Sequence, residues 1–179
     1  KSADAELVVS GAESLRRKGT AYVLAIGINQ YANPDYNLNY AVADAQAFAE
    51  ELARQQTKLG EYAKVEVIPL LDKEATKANL LAALRKLSGD PQPAAAPLPA
   101  SLQRLQPAQP EDAVFVYYAG HGTASGPRFY LIPHDLGYSG SRTEIDEAGL
   151  KAVLEHSISD RDLEQAFEKI DAGRVLLVI

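Results

Sequence analysis

The ten residues AVFVYYAGHG, numbered 113–122, are the most informative stretch of this sequence. The first seven form an almost continuous apolar run, which is typical of a parallel β-strand buried on both faces of a sheet. The run passes directly into Gly120, His121 and Gly122. The sequence therefore predicts a core strand with a histidine at its carboxyl end, where two glycines leave little side-chain bulk around the imidazole.

Strand and helix patterns alternate on both sides of this stretch. Short apolar runs predict strands, and apolar positions at helical spacing behind N-cap residues predict helices. The predicted strands are 21–28, 65–71, 113–119, 129–132 and 174–179, and the predicted helices are 41–55, 77–87 with Thr76 as N-cap, and one that begins with Ser159 and Asp162. This alternation indicates an α/β fold with an open, mostly parallel sheet and helices on both faces, in three layers.

The carboxyl ends of the predicted strands are the expected place for a ligand site. In open α/β sheets, ligands bind in the crevice outside these ends. His121 and the residues that follow Ile179 both belong to carboxyl ends of successive core strands. We therefore expect them to face the same crevice.

The chain divides into a short polar segment and one domain. Residues 1–19 are mixed and polar, and are interpreted as a linker or N-terminal arm. Residues 20–179 form the predicted domain, with an insert rich in proline and alanine at about 89–110 that is expected to be mobile or a surface excursion. Because the sequence stops within a strand pattern, the sheet is expected to be incomplete at its C-terminus.

Composition excludes several classes of function. The 179 residues are 46% hydrophobic and carry a net charge of -6, so nucleic acid and anionic membranes are not expected partners. No apolar run approaches the roughly 20 residues of a membrane span and no signal peptide is recognised, so a cytoplasmic location is expected. Cysteine is absent, and the three histidines lack metal-ligand spacing, so no metal is expected.

His121 and Gly122 have the chemistry of an acyl-transfer site. An imidazole with an ordinary pKa of about 6.5 can move protons at neutral pH, and a glycine N–H can approach a carbonyl oxygen closely. A turn in which histidine only ends the strand is the alternative. A phosphate cradle is disfavoured, because Ser125 occupies the third glycine position of the dinucleotide fingerprint and no GxxxxGK[ST] is present.

Four segments, taken in order, resemble the caspase and metacaspase clan in its bacterial caspase-like branch (clan CD, family C14). They are VLAIGINQY at 23–31, LNYAVADA at 38–45, VFVYYAGHG at 114–122 and VLLVI at 175–179. The resemblance extends over about 21–179, except for the insert. It implies a caspase-like fold of which this chain is the histidine-bearing, large-subunit-like part.

The resemblance also implies residue roles. His121 resembles the general base of a cysteine endopeptidase, and Gly122 resembles an oxyanion-hole donor. Asp44 resembles the acidic floor of the metacaspase S1 pocket, which favours cleavage after Arg or Lys, although an aspartate in the first turn of a helix is also favoured by the helix dipole. The cysteine nucleophile is expected in an Asp-x-Cys motif just after Ile179. Alanine at 41 and 119, where related enzymes place polar or thiol groups, is a departure that affects the S1 pocket.

The expected partners are protein or peptide substrates and the remainder of the peptidase domain, in the same or a second chain. No cofactor is expected, and calcium dependence stays open. The intact domain is predicted to be a protease and this chain alone to be inactive, because it has no nucleophile. The alternatives are a nucleophile-less pseudoprotease that acts as a scaffold or sensor, and a nucleotide- or phosphate-binding α/β domain.

Overall fold

The structure is a computed structural model that describes residues 17–90 and 97–179. Within these ranges the chain forms two sheets and four α-helices. The strands are β1 (Thr20–Gly27), β2 (Lys64–Leu71), β3 (Ala113–Ala119), β4 (Gly122–Ser125), β5 (Arg128–Leu131), β6 (Ile158–Ser159) and β7 (Arg174–Val178). The helices are α1 (Ala41–Leu59), α2 (Lys77–Leu87), α3 (Glu147–His156) and α4 (Asp160–Phe167).

The main sheet has the order β2-β1-β3-β7, and every neighbouring pair is parallel. The fully buried β1 lies inside the sheet, as its apolar pattern predicts. Pro69 predicts an edge position for β2, because proline cannot donate to a strand ladder, and β2 lies at an edge. The register aligns Ile26 with Tyr118 and Tyr117 with Val178, so the carboxyl ends of three strands lie side by side.

Helices cover both faces of this sheet, which confirms the predicted α/β class. On one face, called the α1 face, Ala45 and Ala49 of α1 pack against Val23 and Ala25. On the other, called the α2 face, leucines of α2 and α4 pack into a larger cluster with alternate residues of β1 and β3, namely Leu80, Leu84 and Leu163 with Leu24, Ile26, Val114, Val116 and Tyr118. Successive side chains along each strand therefore pack on opposite faces of the sheet, against different helices.

A small antiparallel sheet, β4-β5-β6, follows the carboxyl end of β3. The sequence pattern predicts neither β4 nor α3. Helix α3 is ten residues long and buries only Gly149 and Val153, and its start is fixed by Asp146, which accepts a hydrogen bond from the Gly149 N–H at 2.7 Å. These elements place a helix and a hairpin on the α2 face, directly beside the end of β3.

The second half of the proline- and alanine-rich insert is packed, which differs from the expectation. A 3₁₀ helix spans Ala100–Arg104, and Leu102 and Leu105 are fully buried in the α2-face core. Arg104 pairs with the buried Glu66 carboxylate at 2.9 Å, which fastens the segment to β2. Leucines three residues apart share one side of a 3₁₀ turn, so two of them anchor the stretch despite its composition. Residues 91–96 of the insert, and 1–16 of the predicted linker at 1–19, lie outside the described residues.

Candidate active site

The loops that leave the main sheet meet at its carboxyl edge. His134, in the segment after β5, donates from Nδ1 to the Gln30 carbonyl at 2.6 Å, and its backbone bonds to Ala32 and Ala75 at 3.0 Å each. The loops after β1 and β2 are thereby joined to the segment that follows the hairpin. The His134 imidazole is therefore used in a contact between loops, and hydrogen bonds connect the loops at this edge of the sheet.

Two tyrosine hydroxyls hold the backbone of His121. The Tyr31 hydroxyl accepts a hydrogen bond from the His121 N–H at 2.7 Å. The Tyr118 hydroxyl lies 3.0 Å from the His121 carbonyl and 2.6 Å from the Ile132 carbonyl, within donating distance of both. Burial raises the pKa of both tyrosines, so they stay protonated at neutral pH. The peptide groups on both sides of the histidine Cα are therefore fixed.

Gly120 is the residue that this arrangement requires. A Cβ on Gly120 would lie 2.8 Å from the Tyr118 hydroxyl and 2.9 Å from the Tyr31 hydroxyl, closer than van der Waals contact allows. Both tyrosines are buried and cannot easily move aside. The glycine before the histidine thus makes room for the hydroxyls that hold it.

The hydrogen bond of the His121 ring identifies its tautomer. Nε2 lies 2.8 Å from the Tyr36 carbonyl oxygen. A carbonyl can only accept, so Nε2 carries the proton and Nδ1 of the neutral ring carries the lone pair. The rings of Tyr31 and Tyr36 contact the imidazole, with centroids at 5.2 and 5.8 Å. The ring is thus fixed with Nδ1 as its proton acceptor.

The surroundings favour the neutral form of this imidazole. Burial lowers the pKa of His121, the hydrogen bond to the Tyr36 carbonyl raises it, and the positive charge of Arg142 lowers it further. The net direction is downward from the ordinary value. The imidazole is therefore unprotonated at Nδ1 at neutral pH, which is the form that can accept a proton.

Gly122 differs from Gly120 because its surroundings leave room for a side chain. Its exposed backbone begins β4, and a Cβ on it would meet only the Tyr130 carbonyl oxygen, at 3.4 Å. Its φ is not in the left-handed region that favours glycine. Neither packing nor backbone conformation therefore explains a glycine here. Because a strand and not a helix follows it, the helix N-terminus of a phosphate cradle is missing at this position.

Asp44 lies in the first turn of α1, whose start is held at the carboxyl edge of the sheet. The Asn29 side chain, just past β1, accepts a hydrogen bond from the Val42 N–H at 3.2 Å. Asp44 itself is exposed, and no side chain described here forms a salt bridge with its carboxylate. The structure thus places Asp44 at the same edge as His121, on the α1 face.

A cavity of about 200 Å³ lies beside His121 on the other face. The wall of this cavity contains His121 and Gly122, the two predicted catalytic residues, together with mainly apolar side chains and the cationic Arg142. The lining residues are Tyr36, His121, Gly122, Thr123, Ile132, Arg142, Ile145, Leu150 and Val153. Asp44 is not part of this wall. The sequence pattern does not assign Tyr31, Tyr118 or Arg142 to the site. Tyr31 and Arg142 contact residues far away in the chain. For Tyr118, a strand pattern does not show that its hydroxyl reaches the His121 and Ile132 carbonyls.

A family model of the caspase domain matches residues 20–171. The chain belongs to the caspase family. It is therefore a caspase-family peptidase domain, and such domains act on proteins or peptides. The matched range contains Asp44, His121 and Gly122, and ends before β7. No curated protein matches this chain. None of the helices in residues 17–90 and 97–179 is long and apolar enough to span a bilayer.

Proposed function

We propose that the intact domain is a cysteine endopeptidase that cleaves after Arg or Lys, with His121 as its general base. The observation that carries this proposal is a fixed imidazole at the tip of β3, directly beside the tip of β7. Strand β7 runs parallel to β3, with Val178 aligned to Tyr117. A residue that follows Ile179 would therefore emerge next to His121, where the resemblance to metacaspases places the cysteine nucleophile.

In this reaction the cysteine sulfur attacks the scissile carbonyl carbon and its proton passes to Nδ1 of His121. The Gly122 N–H donates to the oxyanion of the tetrahedral intermediate. Nδ1 then returns the proton to the leaving amine, and water hydrolyses the thioester with the same histidine as base. The Tyr36 carbonyl keeps the ring oriented through Nε2 during both transfers. This chain alone, which contains no cysteine, is expected to be inactive.

Asp44 is assigned to recognition of the basic residue before the scissile bond. Asp44 is exposed and lies in the first turn of α1, the helix that packs on the face of the sheet opposite to the cavity. A substrate guanidinium or ammonium is attracted to the Asp44 carboxylate and a substrate carboxylate is repelled. Its position in the first turn of α1 also fits a purely structural role beside the helix dipole.

The specificity is tested with the full-length protein and fluorogenic peptides that end in Arg, Lys or Asp before the reporter. Cleavage of the Arg and Lys peptides is expected, and a preference for the Asp peptide would exclude the role of Asp44. Asp44→Asn should lower kcat/KM for the Arg peptide, while Glu50→Gln, an exposed charge change on the same helix, should not.

The catalytic roles are tested by two further variants of the full-length protein. His121→Ala should reduce kcat by about 10²- to 10⁴-fold, the usual contribution of a general base. Gly122→Pro removes the backbone N–H that is assigned to the oxyanion, so kcat should fall strongly. The fold should persist, because a Cβ at this position meets only the Tyr130 carbonyl oxygen, at 3.4 Å. Wild-type kcat in Gly122→Pro would remove the oxyanion role. The codons after Ile179 distinguish a protease from a scaffold or sensor, since only the protease has a cysteine there.

A further inference from the structure

We propose that the cavity beside His121 binds the substrate residue that follows the scissile bond, with a preference for an apolar side chain there and an acidic residue next to it. This inference rests on the proposed function, because it concerns the leaving-group side of the same site. The substrate class is then a peptide with the order basic, apolar, acidic around the cleaved bond.

The cavity lies directly beside the residues that are proposed to carry out the reaction. The residues that line the cavity include both His121 and Gly122, so the cavity adjoins the place where the scissile carbonyl would lie. Helix α1, whose first turn carries Asp44, packs on the α1 face, whereas Ile132 and Val153 of the cavity belong to the core of the α2 face. A peptide whose basic residue reaches Asp44 therefore runs towards the cavity once it has passed His121.

The lining determines the chemistry of the first residue. Ile132, Ile145, Leu150 and Val153 supply aliphatic surface, and Leu150 remains 39% exposed. Covering this surface with an apolar side chain removes it from water, which favours binding in proportion to the buried area. A volume of about 200 Å³ fits one branched or aromatic side chain. Glycine at this substrate position would leave the aliphatic surface uncovered.

Arg142 determines the chemistry of the neighbouring residue. Its guanidinium carbon lies 5.5 Å above the centre of the Tyr36 ring, and the side chain is exposed. The Asp35 carboxylate accepts a hydrogen bond from the backbone N–H of Arg142 at 3.3 Å, and no salt bridge to the guanidinium occurs within the described residues. A guanidinium presents paired donors that match a carboxylate, so an acidic substrate residue is the fitting partner.

The loop that carries Arg142 is held in place. The Asn33 side chain donates to the Gly140 carbonyl at 2.8 Å, and the Tyr138 hydroxyl donates to the Ser141 carbonyl at 3.2 Å. The Asn33 contact and the bond from the Arg142 N–H to Asp35 attach the loop to the segment that also supplies the Tyr36 carbonyl. The backbone of Arg142 is thereby held near the imidazole.

The first experiment uses internally quenched peptides with Arg before the bond, cleaved by the full-length protein. Leu after the bond should exceed Gly by roughly tenfold in kcat/KM, as expected for an apolar pocket. A following Asp should exceed Ala by about two- to fivefold, the range of an exposed charge pair. Arg142→Gln should abolish only the second preference, and Leu150→Ala should reduce only the first. Lys151→Gln, an exposed charge change on α3, should affect neither.

Cleavage without either preference would overturn this inference and leave the protease function intact. Absence of any cleavage would instead count against the proposed function, and the cavity is then tested alone. The peptide Leu-Asp-Ala amide, a mimic of the leaving product, should shift the methyl NMR signals of Ile132, Ile145 and Val153 in this chain. Gly-Ala-Ala amide should not. Equal shifts, or none with the first peptide, would exclude the cavity as a leaving-group site.

Discussion

At the scale of single residues, Tyr31 is the side chain that connects the β1 loop to the candidate base. Its hydroxyl accepts the His121 N–H at 2.7 Å, and its ring contacts the imidazole. Tyr31→Phe keeps the ring and leaves this N–H without its acceptor, which costs more than a missing bond in water because the site is buried. We expect about a tenfold fall in kcat of the full-length protein, a nearly unchanged KM and a displaced acid limb of the pH–rate profile.

The matched control is Tyr117→Phe on β3, on the α1 face, where the Tyr117 ring stacks on Phe48 with centroids 4.2 Å apart. It also removes one tyrosine hydroxyl, but leaves the hydrogen bonds of His121 unchanged. A purely structural role of Tyr31 would lower the unfolding midpoint and leave kcat and the pH profile as they are. That result would contradict the assignment of Tyr31 as a positioning residue.

The two glycines that flank His121 show which features of the site the sequence predicts. In the sequence, Gly120 and Gly122 are equivalent neighbours of the histidine. The structure separates them, because tyrosine hydroxyls exclude a side chain at Gly120 and almost nothing does so at Gly122. The tyrosine partners are distant in sequence or approach from the strand itself, so no local pattern reveals them. The histidine could be predicted, and the groups that hold it could not.

At the scale of elements, the predictions succeeded where the signal is local. Thr76 caps α2 at Asn79, and Ser159 and Asp162 form the predicted capping box of α4. A cap needs only residues three positions apart, so sequence is sufficient. Strand β4 is four small residues whose strand geometry depends on pairing with β5, and this information is not local. Helix α3 has apolar residues at helical spacing, Leu150, Val153 and Leu154, but it lies in a polar stretch and buries only Gly149 and Val153.

The packed half of the insert is predicted to stabilise the folded chain through Leu102. Leu102 is completely buried although its neighbours are rich in proline, alanine and glutamine. Leu102→Ala should reduce the free energy of unfolding by about 2–5 kcal/mol, from lost burial and the cavity that remains. Denaturant unfolding of this chain measures the effect. Gln103→Ala, on the exposed side of the same 3₁₀ helix, should change it by less than about 0.5 kcal/mol. Equal effects of the two variants would mean that the segment does not anchor the core.

At the scale of the whole molecule, topology determines which residues can act together. Alternating strands and helices predict a parallel sheet, and the rule that ligands bind at carboxyl ends predicts a site at the edge where His121 lies. The expected neighbourhood of the tips of β3 and β7 is confirmed by their pairing. Which face carries the cavity was not predictable, because it depends on α3 and the hairpin. Because this framework partly buries His121, the protonation of its imidazole depends on the folded state.

His121 therefore links global stability to pH. Burial lowers its pKa in the folded chain, whereas in the unfolded chain the pKa returns to about 6.5. As pH falls through 6.5, the unfolded state takes up the proton more readily, so stability is full above this value and declines below it. Urea unfolding of this chain at pH 7.5 and 5.5 should show a smaller loss of stability for His121→Gln than for the wild type. His156→Gln removes an exposed histidine and is the control. If His121→Gln loses as much stability as the wild type between the two pH values, the imidazole is not held neutral by the fold, and its assignment as a ready proton acceptor loses its physical basis.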